Sequence, residues 1–325
     1  MGRTTRRRFL AGTVGALTLP ALARAQTTTW PSRTVRVIVP YPPGGGADTV
    51  SRIIFAKLSD QLGQNFIIDN RGGAGGTIAE AVAAKTEPDG YTVLYDATAF
   101  SVNPWLYPKL TFDFTKDFQP VFLASLVPNI LIVHPSVQAK TVGDIIALAK
   151  ATPGGLDFAS SGNGTVQHLC LELFRFMTGV KINHIPYRGG GPALNDVIAG
   201  QVKFFFSNGA ASLGHIQAGL VKAIAHTGKG HLRTLPDLPA VEDTVPGFEA
   251  YEWNGVFLPA ATPAPIVAKL NASLNATLDT PEVANRLNQL NVDYKKNTPD
   301  DFRAFVAAET EKWGKVVKEA NIKLG

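Results

Sequence analysis

Apolar residues along this chain alternate between two spacings, and the alternation predicts a fold class before any motif is considered. Residues 35–39, 66–69 and 91–95 are short runs rich in β-branched and aromatic side chains, bounded by turn-forming residues, which predicts strands. Between them, 50–62 and 77–85 repeat apolar residues at a period near 3.6, which predicts amphipathic helices. Strands that alternate with helices build βαβ units around a parallel sheet. The pattern then restarts with strand 129–133, helix 141–151, strand 156–159, helix 165–178 and strand 181–185. A helix near 193–199 and strands at 202–206 and 221–225 follow. Two similar α/β lobes are expected, and 325 residues are enough to bury two cores.

The C-terminal part is helical. Thr262-Pro263, Thr280-Pro281 and Thr298-Pro299 each set a capping hydroxyl before a proline, whose missing N–H costs nothing at the first helical position. In the last helix Phe302, Phe305, Val306, Trp313, Val316 and Val317 share one face, a stripe expected to dock onto a lobe.

Two glycine-rich turns carry the candidate chemistry. Tyr41-Pro42-Pro43-Gly44-Gly45-Gly46-Ala47-Asp48-Thr49 joins the first strand to the first helix. A helix start offers unpaired N–H groups and the positive end of the dipole, so a carboxylate or phosphate would fit there. Ser160-Ser161-Gly162-Asn163-Gly164-Thr165 repeats the arrangement in the second lobe. Taken singly, either is also what an ordinary strand-to-helix turn needs; taken together, they suit a clamp on one ligand. Asp48 is out of place in an anion site and is expected to orient loop amides or a water. Ala97 with Thr98, and Ser207 with Asn208, follow strands at the carboxyl ends where open α/β sheets bind ligands. Tyr41 and Phe100 are candidate walls for a bulky acid, and Arg71 and Arg188 for a second carboxylate, with packing and solvent exposure as the ordinary alternatives.

Charge narrows the partners. Residues 5–10 (Thr-Arg-Arg-Arg-Phe-Leu), a mostly apolar run to Leu22 and Ala23-Arg24-Ala25 resemble a twin-arginine export signal. A chain starting near Gln26 in the periplasm is expected, with residues 1–25 removed. That signal holds five of the 31 Lys and Arg and none of the Asp and Glu, so the remainder carries 26 of each sign. A neutral mature chain gives no support for nucleic acid or an anionic membrane as partner. No stretch reaches the about 18 apolar residues that span a bilayer. Cys170 is the single cysteine, which excludes an internal disulfide, and the histidines show no metal-ligand spacing.

Several blocks in order resemble one family: Pro40 to Asp48 above, Asp69-Asn70-Arg71-Gly72-Gly73-Ala74-Gly75-Gly76, Pro88-Asp89-Gly90-Tyr91-Thr92, Asn103-Pro104 with Leu106-Tyr107, Ser161-Gly162-Asn163-Gly164-Thr165 and Pro186-Tyr187-Arg188-Gly189. Pro236-Asp237-Leu238-Pro239 and Trp313-Gly314-Lys315-Val316-Val317 extend the match over the whole mature chain. They resemble the tripartite tricarboxylate transporter receptors, the Bug-type extracytoplasmic solute-binding proteins. The resemblance implies a type II periplasmic binding-protein fold, two α/β lobes with a ligand cleft and hinge crossings. It implies a monomer that captures a small organic acid, often a di- or tricarboxylate, without a cofactor or metal, and passes it to membrane permease subunits.

Carried onto this chain, the resemblance implies that Pro43, Gly45, Gly46, Ala47 and Asp48 bind from one lobe, and Ser161, Gly162, Asn163, Gly164 and Thr165 from the other, with His168 and Tyr187 contributing. Tyr41, Thr98, Ser207 and Asn208 complete the candidate set. Ser207 stands where many relatives are expected to be acidic, and residues 96–100 also depart from the family pattern. With crossings near 124–127 and 247–253, lobe 1 combines 27–124 with 252–325, lobe 2 is 125–251, and the ligand closes the cleft. An exported NAD-type oxidoreductase is the alternative, from Gly44-x-Gly46-x-x-Thr49 and Asp69, although Thr49 replaces the third glycine and Pro42-Pro43 stiffens the turn. A hydrolase using Ser160 or Ser161 with His168 lacks both a nucleophile elbow and an orienting acid.

Overall fold

Strand β1 (Val35–Val39), helix α1 (Gly46–Leu62), strand β2 (Phe66–Asn70), helix α2 (Thr77–Ala83) and strand β3 (Thr92–Ala97) follow one another as the apolar spacing predicts. This is a computed structural model, and it describes Met1 and residues 30–323; residues 2–29, and with them the expected export signal, lie outside the described residues. β1 lies parallel to both β2 and β3, Val37 opposite Ile68 and Val93. Helix α3 (Ala99–Leu106) leads to the 16-residue strand β4 (Phe118–Val133).

Beyond β4 come α4 (Val142–Ala151), β5 (Leu156–Ser160), α5 (Val166–Thr178), β6 (Ile182–Pro186), α6 (Gly190–Ile198), β7 (Phe204–Asn208), α7 (Gly209–Gln217) and β8 (Lys222–His226). Strand β9 (Tyr251–Pro259) returns to the first sheet, and α8 (Ala264–Leu278), α9 (Pro281–Gln289) and α10 (Pro299–Glu319) close the chain. The strand order is β2-β1-β3-β9-β4-β7-β5-β6, with β8 also on β4.

Strand β4 joins the two halves. It pairs antiparallel with β9 from Phe118 to Pro128, then with β7 and β8 from Asn129 to Val133. Its pairing partners change between Pro128 and Asn129. The spacing predicts only 129–133 as strand here, because Pro120 and Pro128 interrupt the earlier part; the register shifts at Pro120/Phe122 and Leu123/Ser125 absorb such a break. α3 and α7 are likewise absent from the periodicity, α3 having Pro104 inside it and α7 two glycines.

Side chains alternate across each sheet. In the first half Val37 and Val39 pack with Ile54, Phe55, Leu58, Leu270 and Leu274, while Ile38 faces Leu94, Phe100, Trp253 and Phe257. In the second, Phe204 and Phe206 join Phe158, Phe174 and Phe248, while Phe205 joins Ile130, Ile132, Leu194 and Val197. The α10 stripe docks on both halves rather than one. Phe302 packs on Trp253 and Phe257, whereas Trp313 and Val317 enter the cluster of Phe158 and Phe174. A 21-residue helix is roughly 30 Å long, enough to reach across. Thr298 caps it, with Asp301 completing a reciprocal pair. Together these elements form the two-lobe periplasmic binding-protein fold.

Candidate functional site

Where each strand hands over to its helix, the carboxyl ends of β1, β3, β5, β6 and β7 point toward one cavity between the two halves. Its walls carry the first-turn or capping residues of five helices: Gly45 to Ala47 of α1, Thr98 and Ala99 of α3, Thr165 to Gln167 of α5, Gly190 of α6, and Asn208 and Ala211 of α7. Tyr41, Ala97, Ser161, Ser207 and Glu252 complete the lining. None of these residues is Lys, Arg or His. Positive potential in the cavity therefore comes from backbone N–H groups and helix dipoles.

The first loop is braced from behind. Asp48, buried, accepts from the Gly44 N–H (3.0 Å), Arg52 Nε (2.9 Å) and Asn70 Nδ2 (3.0 Å). Asn70 Nδ2 also donates to the Tyr41 carbonyl at 2.9 Å. Burial works against the Asp48 charge, but these donors outweigh it and hold its pKa below the usual carboxylate value. Asp48 is thus tied into the loop, off the cavity wall, and Pro43 is exposed. Tyr41 donates to Asp96 Oδ1 at 2.9 Å, which anchors the ring that walls the cavity. Beneath it Glu80 and Asp96 are both fully buried, with Asn103 Nδ2 donating to Glu80 Oε1 at 3.1 Å.

The second loop is braced by histidines. Gly164 N–H donates to His168 Nδ1 (3.2 Å), and Thr165 Oγ1 donates to the Gly162 carbonyl (2.7 Å). His168 stacks on His184 with ring centroids 4.2 Å apart, and His184 Nε2 meets Ser160 Oγ at 2.5 Å. Burial, then the neighbouring His184, pushes the His168 pKa down to about 3; burial takes His184 to about 4. Both rings are neutral near pH 7. His168 hydrogen-bonds neither Ser160 nor Ser161, so the nucleophile–base pair of the hydrolase alternative is not assembled.

The expected residues sort into three places. Tyr41, Gly45, Gly46, Ala47, Thr98, Ser161, Thr165, Ser207 and Asn208 line the cavity. Gly162, Asn163 and Tyr187 line an adjoining outer hollow with Arg188, connected through Tyr41 and Ser161, and Tyr187 donates to Asp196 at 2.8 Å. Asp48 and His168 stand behind the loops, and Gly164, within the second loop, turns its N–H back to His168 and lines neither hollow. Phe100 is no wall: it stacks on Phe257 at 4.1 Å in the core. Arg71 is paired with Asp69 at 2.7 Å, and Asp69 lines a separate surface hollow with Arg36 rather than this cavity.

Sequence reasoning missed Gln167 and Glu252. Gln167 Nε2 donates to Glu252 Oε2 at 2.5 Å and to Asn129 Oδ1 at 3.1 Å. Burial raises the Glu252 pKa, against the surrounding amides of Gln167, Asn208 and Asn254. A charged residue and Asn254 inside the aromatic, β-rich run Tyr251-Glu252-Trp253-Asn254-Gly255-Val256-Phe257 were the available signal.

The halves approach closely because glycine leaves room. A Cβ on Gly46 would lie 2.2 Å from Asn208 Cγ, and one on Gly75 would lie 2.4 Å from the Asn163 carbonyl oxygen. Residues 50–322 match the profile of the tripartite tricarboxylate transporter family receptor. The chain belongs to this family. The Protein BugT of Bordetella pertussis is 35% identical over 305 residues, 93% of this chain and 94% of that one. A structure of Rpa4515 of R. palustris with adipate superimposes with a TM-score of 0.88 at 36% identity, covering 90% of this chain and 99% of that one. MatC from Rhodopseudomonas palustris with bound malate gives 0.84 at 33% identity, covering 89% and 100%. Members of the family are solute-binding receptors rather than enzymes. Among the described residues no helix is long and apolar enough to cross a membrane, and no cluster of three or more His, Cys, Asp or Glu suits a metal.

Proposed function

We propose that this protein is a periplasmic receptor that captures a small organic carboxylate between its lobes and delivers it to the membrane permease of a tripartite tricarboxylate-type transporter. One observation carries this function: helix starts from both halves converge on a single cavity without a basic side chain. Backbone N–H groups give charge-assisted hydrogen bonds to a carboxylate, and closure removes competing water. The adipate and malate complexes of two relatives support the same ligand class.

Gly45, Gly46, Ala47, Thr98, Ser161, Thr165, Ser207 and Asn208, with the Tyr41 ring, are the proposed ligand contacts. Pro43, Asp48, Gly162, Asn163, Gly164, His168 and Tyr187 shape and brace the loops. Residues 27–124 with 252–325 form one proposed moving unit and 125–251 the other, with β4 bending near Pro128. An exported protein in the periplasm accords with the arginine-rich N-terminus.

Thermal shifts with aliphatic and aromatic mono-, di- and tricarboxylates, and with NAD, test the function. A bound carboxylate at a hundred times its Kd should stabilise the fold by about 2.7 kcal/mol. Gly46→Ala, which fills the space of the Asn208 amide, should weaken that ligand at least tenfold in calorimetry. Stabilisation by NAD and by no carboxylate would overturn the proposal.

A further inference from the structure

At the hinge end of the cavity the chemistry reverses. Glu252, the second residue of β9, is 5% exposed and presents a carboxylate to a cavity whose other features attract anions. Its Oε2 accepts from Gln167, and the Asn208 and Asn254 amides lie close enough to favour the charged carboxylate. Beside it Asn208, 4% exposed, has its orientation settled by the Ala210 and Ala211 N–H groups that donate to Oδ1 at 2.9 and 3.3 Å. That leaves Asn208 Nδ2 in the cavity wall beside the Glu252 carboxylate, near enough to favour its charge but without a well-formed hydrogen bond. A buried donor without a well-formed bond gains from a ligand atom that accepts from it.

An acceptor and a donor side by side match a ligand group that both donates and accepts. A second ionised carboxylate does not match, because it would face Glu252 at short range with no cation in the lining. We propose that Glu252 and Asn208 select a carboxylate whose far end is neutral and carries an N–H or O–H, such as a carboxamide, a hydroxyl or a protonated carboxyl group. This rests on the carboxylate-receptor function and narrows it: a dicarboxylate enters only as its singly protonated form, the extra proton coming from solvent and held between Glu252 and the ligand. The titratable groups facing Glu252 are Tyr41, Tyr95 and Cys170, whose pKa values burial raises, so all stay neutral near pH 7; Asp96 and Glu80 lie behind Tyr41.

Calorimetry between pH 6 and 8 with succinate, glutarate and adipate beside their monoamides tests the assignment. For each length that binds, the dicarboxylate affinity should fall about tenfold per pH unit, since one proton is taken up, while that of the monoamide stays level. At pH 8 the monoamide should bind at least tenfold tighter. Glu252→Gln should abolish the dicarboxylate slope, and Asn208→Asp, which keeps the helix cap but loses the donor, should cost the monoamide its advantage. A dicarboxylate affinity that is level with pH in the wild-type protein overturns the assignment and leaves the receptor function standing. If Glu252→Gln does not fold, the wild-type comparison of the two ligand series decides alone. Failure of every carboxylate to bind overturns both.

Discussion

Asp48 illustrates how far a single residue can be read. An acid in the first turn of a helix suits the dipole, and its loop-orienting role was legible from position alone; Arg52 joins it locally, four residues on along α1, whereas Asn70 does so because β2 lies beside the loop. Glu80 and Asp96 carried no such signal, because nothing local brings residues 16 apart into one buried pair. Burial raises both, Asp96 to about 6, and Asp96 raises Glu80 further, to well above its ordinary value. Folded pKa values above those of the unfolded chain, about 4, mean that this pair's contribution is fully present at low pH. It is lost as pH rises from about 4 through the folded values, by up to about 1.4 kcal/mol per unit for each group. Glu80→Gln, which still accepts from Asn103 and can donate to Asp96, should therefore gain at least about 1 kcal/mol on wild type between pH 4.5 and 8. Urea unfolding at the two pH values measures it, and an unchanged difference would exclude the pair as the source.

Elements were legible where one periodicity dominated. The β1–α1–β2–α2–β3 run and the Thr-Pro helix starts follow from local spacing, although only Thr298 caps with its hydroxyl: Thr280 Oγ1 donates to the Thr277 carbonyl, and Pro263 rather than Thr262 takes the cap of α8. Proline-interrupted β4 and glycine-rich α7 were not legible, since their stability comes from neighbours rather than propensity. Helix α10 shows the same division. Its apolar stripe is evident in the sequence, but what it docks on is set by where α3, β4 and β9 lie. Phe302 fills the space above Gly255, where a Cβ would come within 2.0 Å of its ring. Phe302→Ala should cost about 3–5 kcal/mol by the usual penalty for emptying a core position, visible as a lower denaturation midpoint. A loss below about 1 kcal/mol would mean that the cavity collapses freely.

At the scale of the molecule, Val127 and Asn129 of β4 pair with Glu252 and Asn208, so the proposed rotation about β4 would open and close the wall proposed to hold the ligand. The radius of gyration from small-angle scattering should fall on adding a carboxylate shown to bind, with a smaller fall for Gly46→Ala; identical profiles with and without ligand would exclude hinge closure. Periodicity, capping residues and glycine placement determined by themselves the α/β class, most elements and the two anion-receptive loops, because these depend on dihedral preference and on which face of an element is apolar. Only the tertiary structure decided which loop residues reach the cavity, that α10 straps both halves, and that Gln167, Asn208 and Glu252 meet at its hinge end. Those depend on contacts between residues tens to more than a hundred positions apart, where register and packing act and local spacing carries no signal.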